Sequence, residues 1–77
     1  MDIKVYTKRR CSFCTAAKHW LTQRNYTFEE VSLDDPTIKE SFVNTYPNLR
    51  TVPQIFVDGE NIGGFSELRS SKLAQSR

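Results

Sequence analysis

Scarcity is the first feature of this 77-residue sequence: two cysteines, one histidine, one methionine, three glycines and three prolines. No apolar run approaches the ~20 residues that a membrane-spanning helix needs, so no membrane partner is expected. Eleven basic and nine acidic residues leave a formal net charge of only +2, scattered along the chain and too weak to draw nucleic acid. The basic cluster Lys8-Arg9-Arg10 has no aromatic stacking platform beside it, and Trp20, Phe28 and Phe42 fit core positions instead. A mononuclear zinc site needs four ligands; the two cysteines and His19 leave it one short, and His19 is off the helical face of Cys14. No metal is expected on that count. Repeats, low-complexity tracts and linker-like stretches are absent, so residues 1–77 are expected to form one small domain. With no leader-like segment ahead of the first strand, the expected compartment is the reducing cytoplasm.

What the chain does have is gathered in Arg10-Cys11-Ser12-Phe13-Cys14, which contains both cysteines. Residues three apart on a helix share a face, so the two sulfurs can approach bonding distance. A C-x-x-C near a strand–helix–strand pattern reads as a dithiol/disulfide redox pair. Cys11 is expected at a helix N-terminus, where unsatisfied N–H groups and the positive end of the macrodipole favour a thiolate. Lys8, Arg9 and Arg10 add positive charge from the loop side. A free cysteine titrates near pH ~8.5, and both effects push that value down, which makes Cys11 the expected nucleophile. As a structural crosslink the pair would do little. Closing a four-residue loop constrains the unfolded chain by roughly 2 kcal/mol, the low end for a disulfide.

Hydrophobic periodicity supplies the frame. Residues 2–6 alternate polar and apolar as a strand, and residues 12–24 read as a helix with Phe13, Ala17, Trp20 and Leu21 at helical spacing and Asn25 as its stop. Residues 27–33 alternate again, completing a strand–helix–strand unit with parallel strands and a right-handed crossover. Asp35 is placed to cap a second helix that has Pro36 at its first position. Ile38, Phe42 and Tyr46 share one face of it, and Pro47-Asn48 ends it. Residues 53–57 form an apolar strand, Asp58-Gly59 a hairpin turn, and residues 60–63 an antiparallel edge strand. Gly63-Gly64 breaks that strand, Ser66-Glu67-Leu68 opens a last helix, and the tail from Ser70 to Arg77, poor in apolar residues, is expected to fray. The order βαβαββα predicts an α/β fold: a four-stranded mixed sheet flanked by three helices, with helices on both faces.

Four blocks then resemble the glutaredoxins, the small glutathione-dependent branch of the thioredoxin-like fold. They are Val5-Tyr6-Thr7-Lys8 with Cys11-x-x-Cys14, Arg50-Thr51-Val52-Pro53, Gln54-Ile55-Phe56-Val57-Asp58, and Ile62-Gly63-Gly64-Phe65-Ser66-Glu67-Leu68. The resemblance covers residue 3 to about residue 70 and implies catalytic Cys11 and Cys14. It also implies a cis proline, Pro53, that aims the Val52 backbone at an extended thiol substrate as a short antiparallel pairing. On spacing alone Pro53 would equally well start a strand. The family holds the γ-glutamyl end of glutathione at the corner of Gly64, Phe65, Ser66 and Glu67, where a glycine lets the backbone come close to the ligand and a helix start offers N–H groups. Lys8 and Arg50 match positions that pair with the glycyl carboxylate, Thr51 and Val52 lie between, and Phe13 forms an aromatic wall.

Two departures stand out. The family usually has aspartate at the position of Glu67, and proline and tyrosine where this chain has Ser12 and Phe13. Ser12 restores a backbone N–H and adds a hydroxyl, both of which can support a Cys11 thiolate. Some relatives with serine there carry a [2Fe–2S] cluster between two subunits and two glutathiones through the first cysteine, so a Cys11-ligated bridged cluster is an alternative expectation. A third is a relative reduced by thioredoxin reductase, which typically lacks the full glutathione clamp. The principal expectation is a monomeric glutathione-dependent oxidoreductase acting on protein disulfides and glutathionylated proteins, with ribonucleotide reductase a partner that no residue here selects. Cys11 attacks, and Cys14 resolves or stays idle while a second glutathione does so.

Overall fold

The computed structural model describes residues 1–75, and the last two residues of the expected frayed tail lie outside it. Strand β1 (Ile3–Thr7) is followed by helix α1 (Ser12–Gln23), β2 (Glu29–Ser32), α2 (Pro36–Thr45), β3 (Gln54–Val57), β4 (Glu60–Gly63), α3 (Phe65–Arg69) and α4 (Lys72–Gln75). The strands form one sheet in the order β2-β1-β3-β4. β1 and β2 run parallel, while β3 is antiparallel to both β1 and β4. Thus the mixed sheet and its connections are those the hydrophobic pattern predicts: β4 has the expected bounds, and most other ends move by a residue or two.

Local chemistry explains most boundaries. Arg24 ends α1, and the N–H groups of Asn25 and Tyr26 return to the carbonyls of Thr22 and Leu21 at 3.0 Å each. Asn25 sits at φ 64°, the left-handed position that closes such a motif and that asparagine tolerates better than most residues. Asp35 caps α2 by accepting from Thr37 N–H (2.9 Å) and Ile38 N–H (3.3 Å), with Pro36 next, where its missing N–H costs nothing. Asp58 (φ 52°) and Gly59 (φ 84°) make the left-handed pair of a tight hairpin. In β4 Ile55 pairs with Gly63 and Phe56 with Asn61, so Ile62 is the extra residue of a bulge.

Side-chain alternation along β1 and β3 then creates two unlike faces. Ile3, Val5, Ile55 and Val57 point to the side of α1, α3 and α4, where they meet Ala17, Trp20, Leu21, Leu68 and Leu73 in one buried, mainly aliphatic core. Tyr6 and Phe56 point the other way and join Phe42 and Tyr46 of the α2 region in a cluster of tilted and edge-on rings.

Two expectations need correction. The chain after Ser70 does not fray at once: it forms α4, a fourth helix, and Leu73 is wholly buried in the core. Ser71 Oγ donates to Leu68 C=O and accepts from Leu73 N–H, and Tyr26 Oη donates to Leu73 C=O at 2.9 Å. One leucine with these ties is enough to dock the segment. Phe13 does not share the buried stripe of α1. That stripe is Cys14, Ala17, Trp20 and Leu21, and Phe13 is 63% exposed at the helix start.

Candidate active site

The strand-to-helix turn that carries the cysteines is shaped by its backbone. Arg10 lies at φ 59°, a left-handed conformation that costs a residue with a Cβ roughly 1–2 kcal/mol, and such strain gathers at functional sites. It delivers Cys11 in an extended conformation as the N-cap of α1. Cys11 Sγ accepts the N–H of Cys14 at 3.1 Å, the capping contact that a serine or aspartate oxygen makes elsewhere. The Cys11 carbonyl accepts from Thr15 N–H at 3.2 Å. No acidic residue lies in the first turn of α1 to oppose negative charge on that sulfur.

Cys11 and Cys14 are joined as a disulfide, with their Cα atoms 5.2 Å apart. Cys11 is half-buried at the surface, whereas Cys14 is only 2% exposed behind it. The asymmetry sorts the roles: one sulfur is reachable by an external partner, the other only by its neighbour. For a bridged iron–sulfur cluster, one chain therefore presents one rim thiolate, Cys11, and a second copy would have to supply the other. Among the described residues no three histidine, cysteine or acidic side chains gather as a metal-binding group, and His19 stands exposed on α1.

The second wall is the segment before β3. The Val52–Pro53 bond is cis, as the resemblance implied, and Pro53 is buried. The Val52 carbonyl lies 3.8 Å from Cys11 Sγ, so backbone that can pair with an extended substrate borders the reactive sulfur. Gln54 braces this segment: its Nε2 donates to the Thr51 carbonyl (3.0 Å) and to Thr51 Oγ1 (3.2 Å), and its Oε1 accepts from Asn61 Nδ2 (3.1 Å). Sequence reasoning passed over Gln54 as a site residue, although a glutamine opening an apolar strand, here 6% exposed, was a visible signal.

The third wall is the β4–α3 corner. Gly63 has φ 107°, and a Cβ there would come within 2.7 Å of Glu67 Cγ. The Glu67 side chain lies over Gly63 because its Oε1 accepts the N–H of Gly64 at 2.7 Å, the returning half of a capping box. The longer acid therefore has a structural duty in this chain. Phe65 faces Phe13 with ring centroids 6.2 Å apart, and the Arg69 guanidinium lies 4.9 Å from the Phe65 ring centre.

These walls enclose a cleft of about 130 Å³ lined by Phe13, Thr51, Val52, Pro53, Gly64, Phe65, Ser66 and Glu67. Eight of the ten binding residues named from the sequence thus share one small concavity. The other two, Lys8 and Arg50, lie beyond Thr51 and Val52 in an adjoining cleft. The basic triplet does not act as one: Arg9 is drawn to Asp34, its N–H donating to Oδ2 at 2.9 Å and its side chain 3.8 Å from Oδ1, while Lys8 is exposed. On the far side of the disulfide, Thr7 Oγ1 (2.7 Å) and Lys18 Nζ (2.9 Å) both donate to Glu30 Oε2. The hydrogen bond from Lys18, then that from Thr7, holds the Glu30 carboxyl below its ordinary value.

Comparison with known proteins agrees with this geometry. The Glutaredoxin family model matches residues 3–62. Glutaredoxin 3 of Escherichia coli (strain K12) is 34% identical over 67 residues, which span 87% of this chain and 81% of that protein. The crystal structure of glutaredoxin 1 from Francisella tularensis complexed with cacodylate superposes with a TM-score of 0.81 at 35% identity, covering 96% of each chain. That of a buckwheat glutaredoxin–glutathione complex does so with a TM-score of 0.77 at 26% identity, covering 95% of this chain and 73% of that one. With the thioredoxin-like sheet, the C-x-x-C at a helix start and the cis proline beside it, this chain belongs to the glutaredoxin family, and Cys11–Cys14 is the redox-active dithiol of a thiol–disulfide oxidoreductase.

Proposed function

We propose that the protein is a glutathione-dependent disulfide reductase acting on protein disulfides and glutathione mixed disulfides. One observation carries the reading: the cleft beside Cys11 joins the Val52 backbone, the Phe13 and Phe65 rings and the Gly64–Glu67 corner in a volume suited to a tripeptide's cysteine and N-terminal residue. Lys8 and Arg50 stand at the opposite end for its carboxylate. The solved buckwheat complex with glutathione supports the assignment by family likeness. Glu67 holds Gly64 N–H through one oxygen, and its other oxygen is the group available to a γ-glutamyl ammonium.

The reaction follows from the asymmetry of the sulfurs. In the reduced protein the Cys14 N–H and the open end of α1 favour the Cys11 thiolate. It attacks one sulfur of the substrate disulfide; a new S–S bond forms to Cys11, the old one breaks, and the departing thiolate takes up a proton. Cys14 then gives up its proton and attacks Cys11 Sγ. This releases the second thiol and leaves the Cys11–Cys14 disulfide that the structure contains. Two glutathiones restore the dithiol and leave as glutathione disulfide. We assign this cycle to a reducing compartment, the cytoplasm, because the recycling thiol must be abundant there.

The test is turnover by wild type, Cys11→Ser and Cys14→Ser with glutathione and glutathione reductase. Cys11→Ser should abolish all activity. Cys14→Ser should keep turnover of a glutathione mixed disulfide and lose most reduction of a protein disulfide. Equal loss from both substitutions on the mixed disulfide would reverse the assigned roles, and no reduction by glutathione at all would reject the glutathione reading.

A further inference from the structure

A second cleft, larger than the one proposed for glutathione, borders it. It measures about 760 Å³ and opens on the α2 side of Thr51 and Val52, which line both clefts. Its apolar lining includes Leu33, Phe42, Val43 and Leu49, and Val43 is 48% exposed. Its charged lining consists of Lys8, Lys39 and Arg50, with no carboxylate. Among the described residues none of these three cations has an ion-pair partner.

Backbone direction decides what can enter. A substrate strand pairing antiparallel with Val52 places its cysteine opposite that residue, and the residues after the cysteine run back past Thr51 and Arg50 at about 3.3 Å each. Glutathione has one residue there, a glycine that ends in its carboxylate. It can reach Lys8 or Arg50 but has no atoms for the apolar lining beyond. Only a longer chain can use that surface.

We infer that this cleft selects among protein substrates, taking an extended segment whose reactive cysteine is followed, within about four residues at strand spacing, by a bulky apolar side chain and at least one acidic one. The inference rests on the proposed disulfide-reductase cycle and adds its substrate class. The acidic requirement follows from those three cations, and the apolar one from Val43, which is exposed, and Leu33 and Leu49, which are half-buried. A second copy of this chain is the poorer occupant, because its own cationic rim would meet the same three charges.

The test uses three symmetric peptide disulfides: one with leucine and glutamate after the cysteine, one with them before it, and one with only glycine and serine around it. At low salt the first should be reduced with a kcat/KM about tenfold above the other two, a size suited to one buried side chain plus a charge contact. Lys39→Glu and Val43→Asp, both exposed substitutions, should each cut that advantage below about threefold, while turnover of the glutathione–cysteine mixed disulfide stays at the wild-type level. Equal rates on all three peptides, or an advantage that survives both substitutions, would overturn the inference and leave the reductase reading intact. Loss of turnover on the glutathione–cysteine disulfide by wild type would strike the reductase reading instead. A dimer in sedimentation that Val43→Asp disperses would assign the cleft to a second copy and also overturn the inference.

Discussion

The two faces of the sheet are built differently. The face toward α1, α3 and α4 is mainly aliphatic and closed: Val5, Ala17, Leu21, Ile55, Leu68 and Leu73 have no exposed surface, and Trp20 is the one ring among the buried residues of this core. The face toward α2 is aromatic and open, with Phe42 the only buried residue of that helix and Val43 and Ile38 left in solvent. Branched aliphatic side chains with few rotamers pack closely beneath a three-helix cover. Rings that meet at an angle leave clefts between them, and both the 760 Å³ cleft and a smaller one beside Tyr6 and Ile38 open on this side. The comparison teaches that the tightly packed core and the more open, ring-lined side lie on opposite faces of four strands, while the cysteines sit at the end where both sides meet.

The largest expected effect tests that separation directly. Leu21→Ala on the closed face removes a side chain from a site with no solvent to fill it, and should cost about 2–5 kcal/mol of unfolding free energy. Val43→Ala on the open face should cost no more than about 0.5 kcal/mol, as a half-exposed residue does. Urea unfolding of the two variants measures both. Similar losses would mean that the α2 side is a core like the other and that its clefts are incidental.

An intermediate effect belongs to Gln54, which points to the open face yet is buried. Gln54→Leu keeps the bulk and removes the bonds to Thr51 and Asn61, at a cost of about 1–2 kcal/mol. If Gln54 positions the Val52 backbone for substrate, KM for the glutathione mixed disulfide should rise about fivefold, the weight of roughly one hydrogen bond, with kcat held. An unchanged KM alongside the stability loss would make Gln54 a structural residue only.

Legibility in the sequence divided along physical lines. Features decided within four or five residues could be read: the Asp35-Pro36 helix start, the Asn25 stop, the Asp58-Gly59 hairpin and the alternation of β1. The eight residues of the 130 Å³ cleft could be named because the family's blocks mark them, though nothing local shows that residues 13, 51–53 and 64–67 meet. Three features were not readable. Leu73 looked like a lone apolar residue in a polar tail, since its burial depends on Leu68, Tyr26 and the rest of the core. Phe13 fits a helical stripe by spacing, but the inward direction is set by Cys14, which places Phe13 on the rim. Arg9 counted as a free charge until the fold brought Asp34 to it from 25 residues away.

The smallest expected effect probes where the closed face reaches its edge strand. Glu30 on β2 accepts from Lys18 of α1 and from Thr7 of β1, tying helix and two strands together beside the disulfide. Those bonds, Lys18's first, lower its folded-state pKa beneath the ordinary 4.5. A lowered carboxyl pKa contributes stability that is complete above the unfolded value and is lost as pH falls through the folded one. The window therefore lies below about pH 4.5. Both side chains keep a third or more of their surface in water, so screening limits the contribution to about 0.5 kcal/mol or less. Glu30→Gln should accordingly lose less stability than wild type between pH 7 and pH 3, and Lys18→Met should shrink the same difference by removing the dominant cause. If Lys18→Met left the pH dependence untouched while Thr7→Val reduced it, the buried hydroxyl rather than the ion pair would be what fastens the edge strand to the closed face.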